Sequence, residues 1–287
     1  HYNDGDGDLL LIGSPGSSIG ITKVYRNDNG EFTDVYANLT GVFDGACEWG
    51  DYDNDGDLDI LIAGSNCDVT CPTARVYRND GGDTFTDISA GLTGHNSGNA
   101  AWGDIDNDGD LDIVLTGHTY YDGEKTSVYI NHDDSFLETS PDLTTLIGLY
   151  HSDLALADYD KDGYTDVLIT GVDDATFTPT TKLYYNQRGG GWFSEQESVT
   201  LPGVHSGDSD WGDYDNDGDP DILLTGYGTS GPISKIYRND GRIEGNYTFT
   251  EVSANLMGVS ESSANWIDFD NDGDLDIILS GNNGSLI

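Results

Sequence analysis

Compact apolar runs recur along this chain, Ile60-Leu61-Ile62 among them, each directly after an Asp-rich segment. Such a run is too short for a helix and predicts a buried strand. A short stretch precedes each Asp-rich segment, opening at Gly41, Gly94, Gly148, Gly203 or Gly258, ten residues before the first Asp. Four of these stretches carry Trp two residues before that Asp (Trp49, Trp102, Trp211 and Trp266), and the fifth has Leu156. After the apolar run come a variable loop and a third strand: KVYRND from Lys23, RVYRND from Arg75, SVYINH from Ser127, KLYYNQ from Lys182 and KIYRND from Lys235. Tyr25, Tyr77, Tyr129, Tyr184 and Tyr237 stand in register within it. Asn-Asp-Asn-Gly and Asn-Asp-Gly-Gly turns lead to a fourth strand, as in Glu31-Phe32-Thr33-Asp34-Val35 and Thr84-Phe85-Thr86-Asp87-Ile88. Asn-Gly or Asp-Gly between alternating strands is the strongest short hairpin signal. The unit is therefore four antiparallel strands in about 54 residues, with no helical periodicity.

A four-stranded unit repeated at this length cannot bury both faces alone, and radial packing into a β-propeller is the usual solution. The expected fold is all-β: one propeller domain over residues 1–287, with at least five four-stranded antiparallel blades. The units are 1–40, 41–93, 94–147, 148–202, 203–257 and a partial 258–287. The chain starts inside one Asp segment and stops after the second strand of another unit. It is therefore expected to be a piece of a six- or seven-bladed ring, or to pair its open blade edges with another chain. The Trp and Tyr positions are expected to fill the space between neighbouring blades rather than to bind.

The charge is extreme, with 53 Asp and Glu against 11 Lys and Arg and a formal net charge of −42. That field repels nucleic acid and anionic membranes. Disorder is disfavoured by 36% hydrophobic residues, with 17 Tyr, 8 Phe and 5 Trp. No stretch approaches the roughly 18 to 20 apolar residues of a membrane span. The chain opens at His1 without Met or an apolar signal, as a processed or trimmed product would. Cys67 and Cys71 lie four apart and can close a small disulfide in an oxidising compartment, and Cys47 sits in a predicted strand as a buried thiol. Sequons at Asn38, Asn246 and Asn283 matter only in a glycosylating host.

About half of the acidic residues fall in the Asp-rich segments. Five align without gaps, DYDNDGDLDILIAG from Asp51 and its counterparts from Asp104, Asp158, Asp213 and Asp268, spaced by 53, 54, 55 and 55 residues. Asp stands at positions 1, 3, 5 and 9 and Gly at 6. The side-chain ligands predicted are Asp51, Asp53, Asp55 and Asp59; Asp104, Asp106, Asp108 and Asp112; Asp158, Asp160, Asp162 and Asp166; Asp213, Asp215, Asp217 and Asp221; Asp268, Asp270, Asp272 and Asp276. The carbonyl of position 7 completes each shell, from Asp57, Asp110, Tyr164, Asp219 and Asp274. Calcium takes six to eight hard oxygens, and alternating carboxylates on a curled loop supply them. About five ions are expected, one per complete loop. Position 2 is always apolar (Tyr52, Ile105, Tyr159, Tyr214, Phe269), as suits a side chain turned into the core. An EF-hand is excluded, because its loop needs Glu at position 12 and flanking helices. Position 12 here is Ile62, Leu115, Ile169, Leu224 or Leu279, inside a strand.

D-x-D-x-D-G-x-x-D loops between two strands, followed by VYRND-like and GxFTDV-like segments, resemble FG-GAP/VCBS repeats, bacterial relatives of the integrin α-chain β-propeller. The resemblance covers nearly the whole chain. It implies a β-propeller with calcium between the first and second strands of each blade. It also implies a secreted or cell-surface setting, often with adhesion or carbohydrate binding. Lys161 and Tyr164 depart from the pattern but leave the ligands of loop 158 unchanged. An opening copy keeps Asp4, Asp6 and Asp8 in register but has Tyr2 at its third position, so it binds weakly or not at all.

The reading this favours is a binding or adhesion module for carbohydrate or protein. Its ligand is expected on the face opposite the calcium loops, where the connecting loops differ in every copy. Tyr120, Tyr121, Phe177 and Tyr227 are loop aromatics able to stack on sugar or peptide. A structural spacer in a larger surface protein or filament is the alternative. An enzyme acting on polysaccharide is the minority reading, resting on His95, His151 and His205 with Glu48, Asp208 and Asp210 nearby. Their equivalence across repeats argues against the single asymmetric constellation that catalysis needs.

Overall fold

The structure, a computed structural model, describes residues 6–16, 19–67, 71–139, 145–187 and 191–284. Among them every regular element is a strand and none is a helix, so no helix is long and apolar enough to cross a membrane. The chain forms two compact units, residues 1–104 with 108–141, and residues 105–107 with 142–287.

The first unit holds three antiparallel sheets. The first comprises β1 (Leu9–Gly13), β2 (Ile21–Asp28) and β3 (Glu31–Asp34). The second comprises β4 (Phe43–Gly50), β5 (Asp59–Ser65), β6 (Pro72–Asn79) and β7 (Phe85–Asp87). The third comprises β8 (Ala100–Gly103), β9 (Asp112–Thr119), β10 (Gly123–His132) and β11 (Ser135–Glu138). In the second unit β12 (Tyr150–Ala157), β13 (Asp166–Asp173), β14 (Thr178–Asn186) and β15 (Phe193–Glu195) form one meander. A two-residue strand, β16 (Val204–His205), joins it to a second meander of β17 (Ser209–Gly212), β18 (Asp221–Gly228), β19 (Gly231–Ile243) and β20 (Asn246–Val252). Strands β21 (Ser260–Ile267) and β22 (Asp276–Asn282) form a two-stranded sheet. Among the described residues the predicted four-strand unit is thus present four times in full.

In the four complete repeats the apolar runs are buried because the second strand is covered on both faces. Along β5, Ile60 and Ile62 pack with Val24, Val42 and Tyr77, while Leu61 and Ala63 pack with Ala100, Ile113 and Leu115. Along β18, Ile222 and Leu224 join Tyr159 and Leu168, and Leu223 joins Ile236 and Ala264. Alternate side chains therefore serve two different cores, which is why the run is continuous rather than alternating.

Successive sheets are also stitched through the backbone. Val42 bridges Ile21, His95 bridges Thr73, Val204 pairs with Thr180 and Val259 bridges Ile233. The glycine just before each of these residues allows the approach: a Cβ on Gly203 would lie 1.9 Å from the Pro179 carbonyl oxygen, and one on Gly94 would lie 2.1 Å from that of Pro72. The first strand of a repeat is an edge, and at β8, β17 and β21 carboxylates of the preceding sheet occupy outward N–H groups. Glu48 accepts from Trp102 N (3.0 Å), Asp153 from Ser209 N (2.8 Å), Asp208 from Ala264 N (2.8 Å) and Asp210 from Trp266 N (2.8 Å).

Candidate metal centres

Each Asp loop links the first and second strands of its repeat, and its ninth residue opens the second strand. Gly56, with φ of 95°, and its counterparts sit in the left-handed region that favours glycine. Position 4 is left-handed as well, at Asn54, Asn107, Lys161, Asn216 and Asn271. Asn adopts that conformation more readily than most residues, and lysine stands there only in the third loop. The first Asp fastens the turn: Asp51 accepts from the N–H groups of Asp55 (3.0 Å) and Gly56 (3.1 Å), and the other four loops repeat the pair. Asp55 in turn accepts from Asp57 N at 2.9 Å.

Carboxylate oxygens within 4.8 Å of one another come from Asp51, Asp53 and Asp59; Asp104, Asp106 and Asp108; Asp158, Asp160 and Asp166; Asp213, Asp215 and Asp221; Asp268, Asp270 and Asp276. All five triples belong to the predicted loops. Asp55, Asp112, Asp162, Asp217 and Asp272 fall outside the triples. In the opening copy, Asp8 accepts from Asn27 N (2.8 Å) and Asp6 from Asn29 N (2.8 Å), while Asp4 and Tyr2 lie outside the described residues.

The ninth residue is buried in the first four complete loops and bridges two elements. One oxygen of Asp59 accepts from Tyr52 N (3.1 Å) and the other from Asn79 N on β6 (2.8 Å). Asp166 does the same with Tyr159 and Asn186, and Asp221 with Tyr214 and Asn239. Burial pushes Asp59 up to about 7, Asp166 to about 8 and Asp221 to about 6. Burial, then repulsion from Asp55, also raises Asp53. Carboxylates gathered this closely repel one another and suit a cation, and an all-oxygen donor set suits a hard divalent one. The residues present fit a bound metal ion.

Two features escaped the sequence reading. In the 94–147, 148–202 and 203–257 repeats the Asn two residues after the third-strand Tyr is buried and reaches the preceding loop, where its Nδ2 donates to the carbonyl of position 2. Asn131 reaches Tyr52 (2.9 Å), Asn186 reaches Ile105 (2.7 Å) and Asn239 reaches Tyr159 (3.0 Å). Position 4 also reaches position 7 of the next loop: Asn54 donates to Asp110 (2.8 Å), Lys161 pairs with Asp219 (2.5 Å) and Asn216 donates to Asp274 (3.0 Å). The side chains of Asp110, Asp219 and Asp274 at position 7 are therefore engaged across loops. A recurrent Asn at position 4 was the available signal.

The position 2 side chain stacks on the Trp of the next repeat, with Tyr52 on Trp102, Tyr159 on Trp211 and Tyr214 on Trp266 at interplanar angles of 6°, 8° and 8°. Phe269, on the two-stranded sheet, is 74% exposed. Among the proposed ligand aromatics, Tyr120 and Tyr121 form an edge-on pair with ring centroids 4.7 Å apart, and Tyr121 is 89% exposed. Phe177 is exposed on the β13–β14 turn, and Tyr227 lies 5.7 Å from the His205 ring. His151 and His205 are 6.5 Å apart, whereas His95 is buried and burial lowers it to about 4. Cys67 and Cys71 are disulfide-bonded. Cys47 is a free thiol raised to about 11 by burial.

The FG-GAP-like repeat matches residues 2–62, 51–115, 104–169 and 213–279. The chain belongs to the FG-GAP-like repeat family. Among solved structures it is similar to a lectin of Agrocybe aegerita described in terms of specific recognition of non-reducing terminal N-acetylglucosamine. The two share 20% identity at a TM-score of 0.55, over 95% of this chain and 74% of the lectin. No curated protein matches the chain.

Proposed function

We propose that this chain is a calcium-stabilised β-propeller that works outside the cell as a binding module for carbohydrate. The observation that carries the reading is the five Asp triples, each set at a junction between strands whose surrounding cores are shared by successive sheets. Metal at those junctions fixes the scaffold, and a fixed scaffold frees the remaining loops for recognition. The Agrocybe lectin, alike in fold, adds carbohydrate to the possible ligands, and exposed aromatics such as Tyr120 and Tyr121 offer stacking surface. The Cys67–Cys71 disulfide suits an oxidising, extracellular setting. We take the chain not to be an enzyme. Glu48, Asp208 and Asp210, the carboxylates a catalytic reading would use, already hold backbone N–H groups.

A glycan array probed in millimolar calcium and again in excess chelator tests this. Binding that appears with calcium and vanishes without it is expected. Turnover of a polysaccharide, or an array silent under both conditions, would refute it.

A further inference from the structure

One repeat in the second unit departs from the pattern in a way that creates a cavity. After Asn239 and Asp240 the chain runs through Gly241, Arg242, Ile243, Glu244 and Gly245 before its fourth strand, where the 41–93 repeat turns through Gly81, Gly82 and Asp83. The result is a long hairpin, β19 of 13 residues and β20 of 7, with a register shift between Asn239 and Arg242. Its tip stands beside the 158–166 metal loop. Tyr247 donates from its hydroxyl to the Asp160 carbonyl (3.1 Å) and meets the Tyr159 ring edge-on at 5.2 Å. Between this hairpin and the end of β14 lies a cavity of about 690 Å³ lined by Asp160, Asp162, Tyr185, Gln187, Gln196, Arg242 and Tyr247, among others. That volume lies in the range of small-molecule sites, roughly 300–1,000 Å³.

The lining specifies the ligand class. Tyr185 and Tyr247 offer aromatic surface, and Gln187 and Gln196 offer amides that both donate and accept. Asp160 and Asp162 form the metal-loop side of the wall, and with their carboxylates assigned to the ion the hydrogen bonds to a ligand fall to the other groups. Arg242 is exposed, and its Nε is held by the Gly245 carbonyl (2.9 Å). Among the described residues its terminal nitrogens find no hydrogen-bond partner, which leaves fixed donors facing solvent. A net charge of −42 and two carboxylates in the wall disfavour an anionic ligand.

We propose that this cleft, beside the 158–166 loop, binds an uncharged saccharide residue through Arg242, Gln187, Gln196 and the tyrosines. The proposal rests on the carbohydrate-binding reading and gives it a location. That location is the metal-loop end of the strands, not the opposite loops that hold Tyr120 and Tyr121. It also supplies the asymmetry that equivalent repeats lack, because among the described residues only the long β19–β20 hairpin brings an arginine and a tyrosine over a metal loop.

The test uses the whole chain in millimolar calcium, with multivalent conjugates of N-acetylglucosamine, glucose, galactose and mannose as probes. At least one conjugate is expected to bind. Arg242→Ala and Gln187→Ala, on opposite walls, are each expected to lower its affinity by about tenfold or more, the weight of a charge-assisted or well-placed hydrogen bond. Melting temperature is expected to stay unchanged. Gln187→Ala decides the matter should Arg242→Ala unsettle the hairpin. If a conjugate binds and both wall variants retain parental affinity, the cleft assignment is overturned while the carbohydrate reading stands. If no conjugate binds the parent, both are overturned.

Discussion

Replacing Asn239 with Ala should destabilise the second unit by about 2–4 kcal/mol. Asn239 is fully buried, and its side chain works in both directions. Its Nδ2 donates to the Tyr159 carbonyl (3.0 Å), and its Oδ1 accepts from Gly241 N (3.0 Å). Alanine removes both and leaves the Tyr159 carbonyl, beneath stacked aromatic rings, without its donor. A buried polar group left without a partner costs about 1–3 kcal/mol. The Gly241 N–H lies nearer solvent, so its loss adds less. The backbone bond from Asn239 N to Asp221 survives the substitution, so the effect isolates the side chain. Tyr159 is the second residue of the 158–166 loop, so calcium affinity of that loop should fall together with stability. Urea unfolding followed by tryptophan fluorescence in saturating calcium measures the first quantity, and calcium titration measures the second. Asn246→Ala, at the exposed hairpin tip, is the reference. If Asn239→Ala matched that reference within about 0.5 kcal/mol, the tether would be incidental and the reasoning wrong.

Excess chelator should lower the melting temperature by at least about 5–10 °C, since a single site held at 100 times its dissociation constant contributes about 2.7 kcal/mol; an unchanged melt in differential scanning calorimetry would contradict the metal assignment. Gly203→Ala should cost about 3 kcal/mol or more, because the new Cβ meets the Pro179 carbonyl at 1.9 Å, and a denaturant midpoint equal to the parent's would refute the close-approach argument. Burial raises Glu48 from an ordinary 4.5 to about 7, so the folded state keeps a proton that the unfolded state releases between those values. Stability associated with Glu48 is therefore complete below about pH 4.5 and is lost as pH rises to about 7. Glu48→Gln, which keeps an acceptor for Trp102 N, should flatten that slope and be more stable at pH 8 by on the order of 2 kcal/mol; parallel stability–pH curves for the two proteins would exclude it.

The strands, the Asp loops and the Trp positions were legible in the sequence because each is a local pattern repeated four or five times. The compact apolar runs announced β5, β9, β13 and β18, and the stacking of Trp102, Trp211 and Trp266 on position 2 is the inter-sheet filling expected of them. What was missed depends on distant partners. Asn131, Asn186 and Asn239 look like turn residues beside Asp and Gly, yet they bond to carbonyls 79, 81 and 80 residues away. Glu48 and Asp210 stood among the carboxylates near the blade-entry histidines, and nothing local in the sequence showed the edge-strand N–H groups they hold. The two-residue β16 is below the length any periodicity can register. The insertion at Arg242 leaves the 55-residue spacing to the next loop no longer than the one before it, and only folding shows that it leans over a metal loop.

The links between position 4 of one metal loop and position 7 of the next have a consequence for how the ions load. Position 7 is the residue whose carbonyl is expected to join the calcium shell, and its side chain is held by the neighbour before it. A loop stiffened by its ion presents that neighbour with a partner already in place, so within each unit occupancy should spread from loop to loop rather than site by site. The joints are not alike. Asn54–Asp110 and Asn216–Asp274 are held by a neutral amide, whereas Lys161–Asp219 is a full ion pair open to solvent. Salt screens such a pair over about 10 Å at 0.1 M and leaves an amide contact nearly untouched. Rising ionic strength should therefore uncouple the 158–166 and 213–221 loops first, turning a concerted filling curve into one with a separate step.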